Sequence, residues 1–234
     1  MKAAGIRSLT LGLMIAAPLT VLSLTAAAGS QAVSREAKIQ ITVRVFNRVH
    51  VPPDRLAEAE QVATQILGHA RVQALWFDCS ITGETGEEYP GCDRPLGPTD
   101  LILNFVEEIQ SLSPKMKGIT LGLALGVAGD GRGDKAYCAY ISNRRAHDVA
   151  RECAASPGMI LGLAAAHEIG HLLMSAGDHS GSGLMRACWD VKDLVRAARG
   201  DLRFTDDQVM QLIAGVRARI ARQNAVQVDA TVSH

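Results

Sequence analysis

Apolar and polar residues alternate over Lys38 to Phe46 (KIQITVRVF), with Ile39, Ile41, Val43 and Val45 on one side. That period of two predicts a strand with one buried face. Pro52-Pro53 breaks the pattern. Leu56, Ala59, Val62, Ala63, Ile66 and Leu67 then recur at helical spacing as far as Gly68, a helix followed by its stop signal. Val72 to Phe77 predicts a second strand. Residues 80–100 hold Gly83, Gly86, Pro90, Gly91, Pro95, Gly97 and Pro98 and read as one long loop. Asp100 to Val106, Ile119 to Val127 and Ala136 to Ile141 predict three more strands, with a turn at Gly129 to Gly133. Ser156-Pro157 sets an N-cap residue before a proline at the first helical position. The helix that follows is expected to run from Pro157 to about Ser175 and to stop near Gly177. Two further helices are expected at about 189–199 and 205–222, the second opened by Thr205 and Gln208 at capping-box spacing. This order predicts an α+β domain: a twisted, mixed five-stranded sheet with helices packed on it.

Composition narrows the picture. The chain has 234 residues, 47% hydrophobic and 21% charged, enough apolar material for one domain with a true core. Lys plus Arg and Asp plus Glu both number 24, so a formal net charge of zero gives no ground for a nucleic-acid partner. Lys2 and Arg7 precede an apolar run from Leu9 to Leu24 that contains Pro18 and ends near Ala26-Ala27-Ala28. Residues 1–28 are therefore expected to be a cleaved signal peptide, with an uncleaved anchor helix as the alternative. Residues 29–37 are expected to form a short, flexible polar segment, and 38–234 the folded domain. The expected location is periplasmic or extracellular, with no stable membrane insertion once the signal is removed.

Export makes disulfides plausible for the five cysteines. Cys79 and Cys92 flank the Gly-rich loop and are the favoured pair. Cys138 with Cys153 comes next, and Cys188 is left over. Five is odd, so one thiol is free or pairs between chains.

The chemistry concentrates at residues 167–171, HEIGH. His167 and His171 stand four apart, so on a helix they share a face. Two imidazoles placed so can both reach one zinc ion, with Glu168 beside them as the base for an activated water. The flanking Ile160, Leu161, Leu163, Ala164, Leu172 and Leu173 make this an apolar helix, and polar groups buried in one need a partner. The chain continues LLMSAGDHSGSGLMRACWD. Gly177 allows the backbone to turn, and His179 can return as a third ligand, as a catalytic zinc requires. Asp178 is the alternative third ligand.

HExxH, a Gly turn, a third His and a nearby Met in a tight turn resemble the metzincin metallopeptidases over about residues 38–190. The pieces His167 to Leu173, His179-Ser180 and Gly183 to Arg186 are also similar to a group of exported bacterial proteins carrying HEIGHLL, HS and GIMR, as are Trp76–Cys79 and Pro95–Asp100. The resemblance implies a metzincin-like fold with an active-site helix, a Met-turn and C-terminal helices. It implies Zn2+ on His167, His171 and His179, and Glu168 as general base. It places Met185 beneath the metal as a hydrophobic floor, and Ile119 to Val127 as the edge strand that holds an extended peptide or protein substrate. Two features depart from the family pattern. The gap from His171 to His179 is eight residues where HExxHxxGxxH has six, so Met174 stands at the expected Gly. Ala187 stands where some relatives carry a Tyr that stabilises the transition state. A non-catalytic metal-containing binding protein with the same fold is the alternative to a peptidase.

Other signals are weak. Gly129 to Asp134 is Gly-rich but lacks the GK[ST] ending of a phosphate loop. Arg132-Gly133-Asp134 is read as coincidence, and no GxSxG supports serine catalysis. His69 and His147 are expected at the surface and His50 in a loop, while Arg217, Arg219 and Arg222 are expected on a solvated helix face.

Overall fold

The computed structural model describes residues 39–80, 92, 94–109, 121–127, 136–174 and 179–232, all within one unit, Ala37–His234. The expected signal peptide, the 29–37 segment and the Gly129–Gly133 turn lie outside the described residues. Five strands, β1 (Ile39–Asn47), β2 (Val72–Asp78), β3 (Asp100–Val106), β4 (Gly122–Val127) and β5 (Ala136–Ser142), form one sheet in the order β2-β1-β3-β5-β4. β1 pairs in parallel with β2 and β3, and β3 with β5; β4 alone runs antiparallel, on β5. Parallel neighbours need a crossover, and α1 (Pro53–His69) supplies it between β1 and β2. The fold is therefore α+β with a mixed five-stranded sheet.

The alternation along β1 buries Ile41, Val43 and Val45 in the core, beside Leu101, Leu103 and Phe105 of β3 and Ala139 and Ile141 of β5. The same core takes in Leu56, Ala59, Ala63, Ile66 and Leu67 of α1 and the long apolar helix α3 (Pro157–Leu173). α1 and α3 cross closely because α3 presents glycines there. A Cβ at Gly162 would stand 2.6 Å from the Ala59 carbonyl oxygen and 2.7 Å from Val62 Cβ.

The opposite face of β1 carries a buried cation. Arg44 donates to the carbonyls of Cys92 and Arg94 at 2.8 Å each, to that of Pro95 at 3.1 Å, and to Asp100 Oδ2 at 2.7 Å. Cys79 and Cys92 form a disulfide, as their flanking positions suggest, so the segment before β3 is tied down twice. Cys138 and Cys153 do not pair; both are free thiols, as is Cys188. Cys138 sits inside the sheet, where Asn104 Nδ2 donates to its sulfur at 3.1 Å.

Four further expectations change. α2 (Asn143–Glu152) was not foreseen: only Ala146 and Ala150 are buried along it, too sparse an apolar stripe to show in the sequence. Its His147 is half-buried against Arg55 rather than at the surface. Ser156 stands at the N-cap of α3 but makes no capping bond; its hydroxyl donates to Glu58 of α1 instead. Arg219, assigned to a solvated face, is only 6% exposed. It lies 3.7 Å from the Tyr137 ring centre and donates to the Asp100 carbonyl, so α5 (Asp206–Val232) is pinned to the sheet there. Thr205 and Gln208 do form the capping box that opens α5, and α4 (Val191–Ala198) precedes it. No helix of the described residues is long and apolar enough to cross a membrane.

Candidate metal centre

Every residue of α3 from Ile160 to Gly170 is buried, so His167 and Glu168, 7% and 5% exposed, are polar groups inside an apolar helix. The helix ends at Leu173, earlier than expected. Met174 is already extended, at φ −83° and ψ 140°. Gly177 and Asp178 lie outside the described residues. His179 returns to the site.

The three imidazoles converge. Nε2 of His171 lies 3.0 Å from Nε2 of His167 and 3.4 Å from Nε2 of His179. One ligand atom from each can be chosen so that all three lie within 4.8 Å of one another. Four-coordinate zinc with nitrogen ligands at about 2.0–2.1 Å sets them about 3.3 Å apart, so this spacing suits the ion. The protonation pattern suits it as well. The Leu184 carbonyl accepts from His167 Nδ1 at 2.9 Å, which puts the proton on Nδ1 and leaves the Nε2 lone pair free. Burial depresses the His167 pKa to about 4 despite that hydrogen bond. Burial and then the nearby His179 lower that of His171. Neutral imidazole is the form that binds a metal.

Glu168 faces the other wall. Its side chain lies flat against Gly122 at the start of β4; a Cβ there would overlap the Oε1 atom and stand 2.6 Å from Cδ. Burial raises its carboxyl pKa from the ordinary carboxylate range to about 8. β4 is the last strand of the sheet and pairs only with β5 among the described strands.

The segment after His179 packs against α3. Met185 is buried, and its sulfur packs on α3 at Gly170, where a Cβ would stand 2.8 Å from it. The turn depends on Gly183, at φ +71°, a conformation that favours glycine. Ser180 N–H donates to the Met185 carbonyl, Leu184 N–H to the Arg203 carbonyl, and Gln208 Nε2 to Ser180 Oγ. The capping residue of α5 thereby braces the loop that carries His179. Arg186 bridges to Asp190 and Asp193 at the start of α4.

His167, Glu168, His171, His179 and Met185, all singled out from the sequence, come together. The sequence reading missed three contributors: Gly122, the Leu184 carbonyl and Trp189, whose ring meets His167 edge-on with centroids 5.6 Å apart. A backbone acceptor leaves no residue-type signature, and the glycine and the indole acquire meaning only through the fold.

Comparison with protein-family models and with curated proteins gives no match. Among solved structures, the chain is similar to archaemetzincin from Methanopyrus kandleri, at 14% identity and TM-score 0.42, over 79% of this chain and 99% of that one. It is also similar to metalloproteinase-II from Bacteroides fragilis, at 14% identity and TM-score 0.45, over 76% of this chain and 53% of that one, about half that protein's length.

Proposed function

We propose that this chain is an exported, zinc-dependent peptidase that hydrolyses peptide bonds of peptide or protein substrates. One observation carries the reading: three imidazole nitrogens lie at zinc-ligand spacing, and the residue next to His167 on the same helix is a buried carboxyl, Glu168. A purely structural zinc site has no use for such a base, and structural sites are usually closed by a fourth protein ligand.

His167, His171 and His179 would hold the ion. Bound there, zinc supplies Lewis-acid polarisation of the scissile carbonyl and lowers the pKa of water. Glu168 takes the proton of the attacking water and delivers it to the leaving amine. Its buried position raises its proton affinity, and a cation held by the three histidines would lower it again. The outer edge of β4 receives the substrate as an added strand, main chain to main chain. Gly122 keeps that strand against the base. Met185 underlies the histidines as packing, not as a ligand. Export is supported by the Cys79–Cys92 disulfide and by the N-terminal sequence pattern.

The test is the metal content of the purified protein beside His179→Ala and Asp178→Ala, followed by Glu168→Gln on a peptide library. Stoichiometric zinc is expected in the wild type and in Asp178→Ala, with loss or sharp weakening in His179→Ala. Glu168→Gln is expected to keep zinc and lose cleavage. A wild type that neither carries nor takes up a transition metal would end this reading.

A further inference from the structure

Trp189 has no part in the chemistry just described, yet it grips the most buried ligand in two ways. Its Nε1–H donates at 2.9 Å to the Leu184 carbonyl, the oxygen that also accepts from His167 Nδ1 at 2.9 Å. Its ring stands at 82° to the imidazole of His167 and touches it by the edge. A carbonyl oxygen has two lone pairs, so both donors are accommodated at once. The same peptide unit is tethered close by, where Leu184 N–H donates to the Arg203 carbonyl at 2.8 Å. An imidazole held by a single hydrogen bond can still pivot about it. A second group that fixes the acceptor and walls the ring removes that freedom, and such outer contacts set how well a ligand atom is aimed.

From this arrangement we infer that Trp189 is a positioning residue for His167: its indole N–H fixes the Leu184 carbonyl and its ring edge blocks rotation, so that His167 Nε2 stays turned toward His171 Nε2. The inference rests on the three-histidine metal reading. It adds a residue on the C-terminal side of the Met-turn to a site otherwise built on α3 and His179.

Trp189→Phe keeps an apolar ring and removes the N–H. Zinc affinity by chelator competition and the visible spectrum of the cobalt(II)-loaded protein are compared with the wild type. The expected result is an affinity lower by roughly tenfold and a shifted cobalt spectrum, with unchanged far-ultraviolet circular dichroism. A merely structural role would lower the unfolding midpoint and leave the cobalt spectrum of the folded protein as it was.

A second measurement uses the unaltered protein. The chain has two tryptophans, and Trp76, on β2 at the opposite edge of the sheet from β4, donates to Thr64 Oγ1 of α1. On zinc addition the Trp189 indole proton resonance is expected to move and its exchange to slow, while that of Trp76 stays put. Equal affinity and an identical cobalt spectrum in Trp189→Phe, or a Trp189 resonance indifferent to zinc, overturns the inference. Zinc bound normally by the wild type alongside either of those results leaves the peptidase reading standing. Absence of zinc binding in the wild type removes both.

Discussion

Glu168 carries opposite consequences for chemistry and for stability. Burial favours its protonated form in the fold, with a pKa of about 8. In the unfolded chain the carboxyl ionises near 4.5. Stability of the metal-free protein from this group is therefore full below pH 4.5 and is lost as pH rises toward 8. Glu168→Gln removes the group, so the metal-free variant is expected to melt several degrees above the metal-free wild type at pH 8. That corresponds to about 4 kcal/mol, and the gap nearly closes by pH 5. Melting curves at the two pH values check this, and a gap independent of pH refutes it. His167 works in the other window: with its pKa lowered to about 4, it costs the fold stability as pH falls below 6.5. Gly122 bears on the same carboxyl. Gly122→Ala must push Glu168 off its present position, because a Cβ has no room beside Oε1 and Cδ. Peptide turnover is expected to fall on the order of a hundredfold with zinc affinity kept, which turnover and chelator titration on one preparation separate. The identities of His167, Glu168 and His171 were legible because side-chain chemistry at i, i+1 and i+4 is a sequence property. Gly122 was not, because its meaning is the distance between two segments far apart in the chain.

At the scale of elements, the same substitution changes sign with its surroundings. Gly162 of α3 faces the backbone of α1, and a Cβ would meet the Ala59 carbonyl oxygen at 2.6 Å. Gly162→Ala is therefore expected to destabilise the protein by about 1–3 kcal/mol, since backbone cannot move aside cheaply. Gly68, in the last turn of α1, has nothing within 4 Å of a Cβ. Gly68→Ala is expected to stabilise by roughly 0.5–1 kcal/mol, the gain in helix propensity alone. Denaturant unfolding of both variants decides the matter, and like signs would show that the α1–α3 crossing does not depend on that glycine. The strand β1 was legible from period-two alternation because one face of it enters the core. The helix α2 was not, because a helix lying mostly at the surface with two buried alanines has hardly any apolar stripe to read. The end of α3 was also misplaced. Gly177 signalled the stop, but the backbone turns extended at Met174 so that the loop braced by Gln208 can bring His179 back.

For the molecule as a whole, the segment leading into β3 is held by two unlike ties that meet at one residue. The disulfide fixes Cys92 to Cys79 across a separation of 13, and Arg44 reaches the carbonyls of Cys92, Arg94 and Pro95 from inside the sheet. The sequence showed the first through paired cysteines around a Gly-rich loop. It concealed the second, because Arg44 occupies a polar slot of an alternating strand and so reads as solvated. The guanidinium is buried with Asp100, and removing one partner leaves the other charge stranded. Arg44→Ala is therefore expected to cost about 3–5 kcal/mol. Replacing both Cys79 and Cys92 by Ser is expected to cost about 3 kcal/mol, by closure of a loop of this length. Both ties restrain the same stretch of backbone, so once one is cut, part of what the other restrains is already free. The combined variant should then lose less than the two losses added, by at least about 0.5 kcal/mol. Unfolding of the four proteins in denaturant completes the cycle. Strict additivity would mean that the ties act on separate parts of the fold, and that the arginine stabilises the sheet rather than the loop.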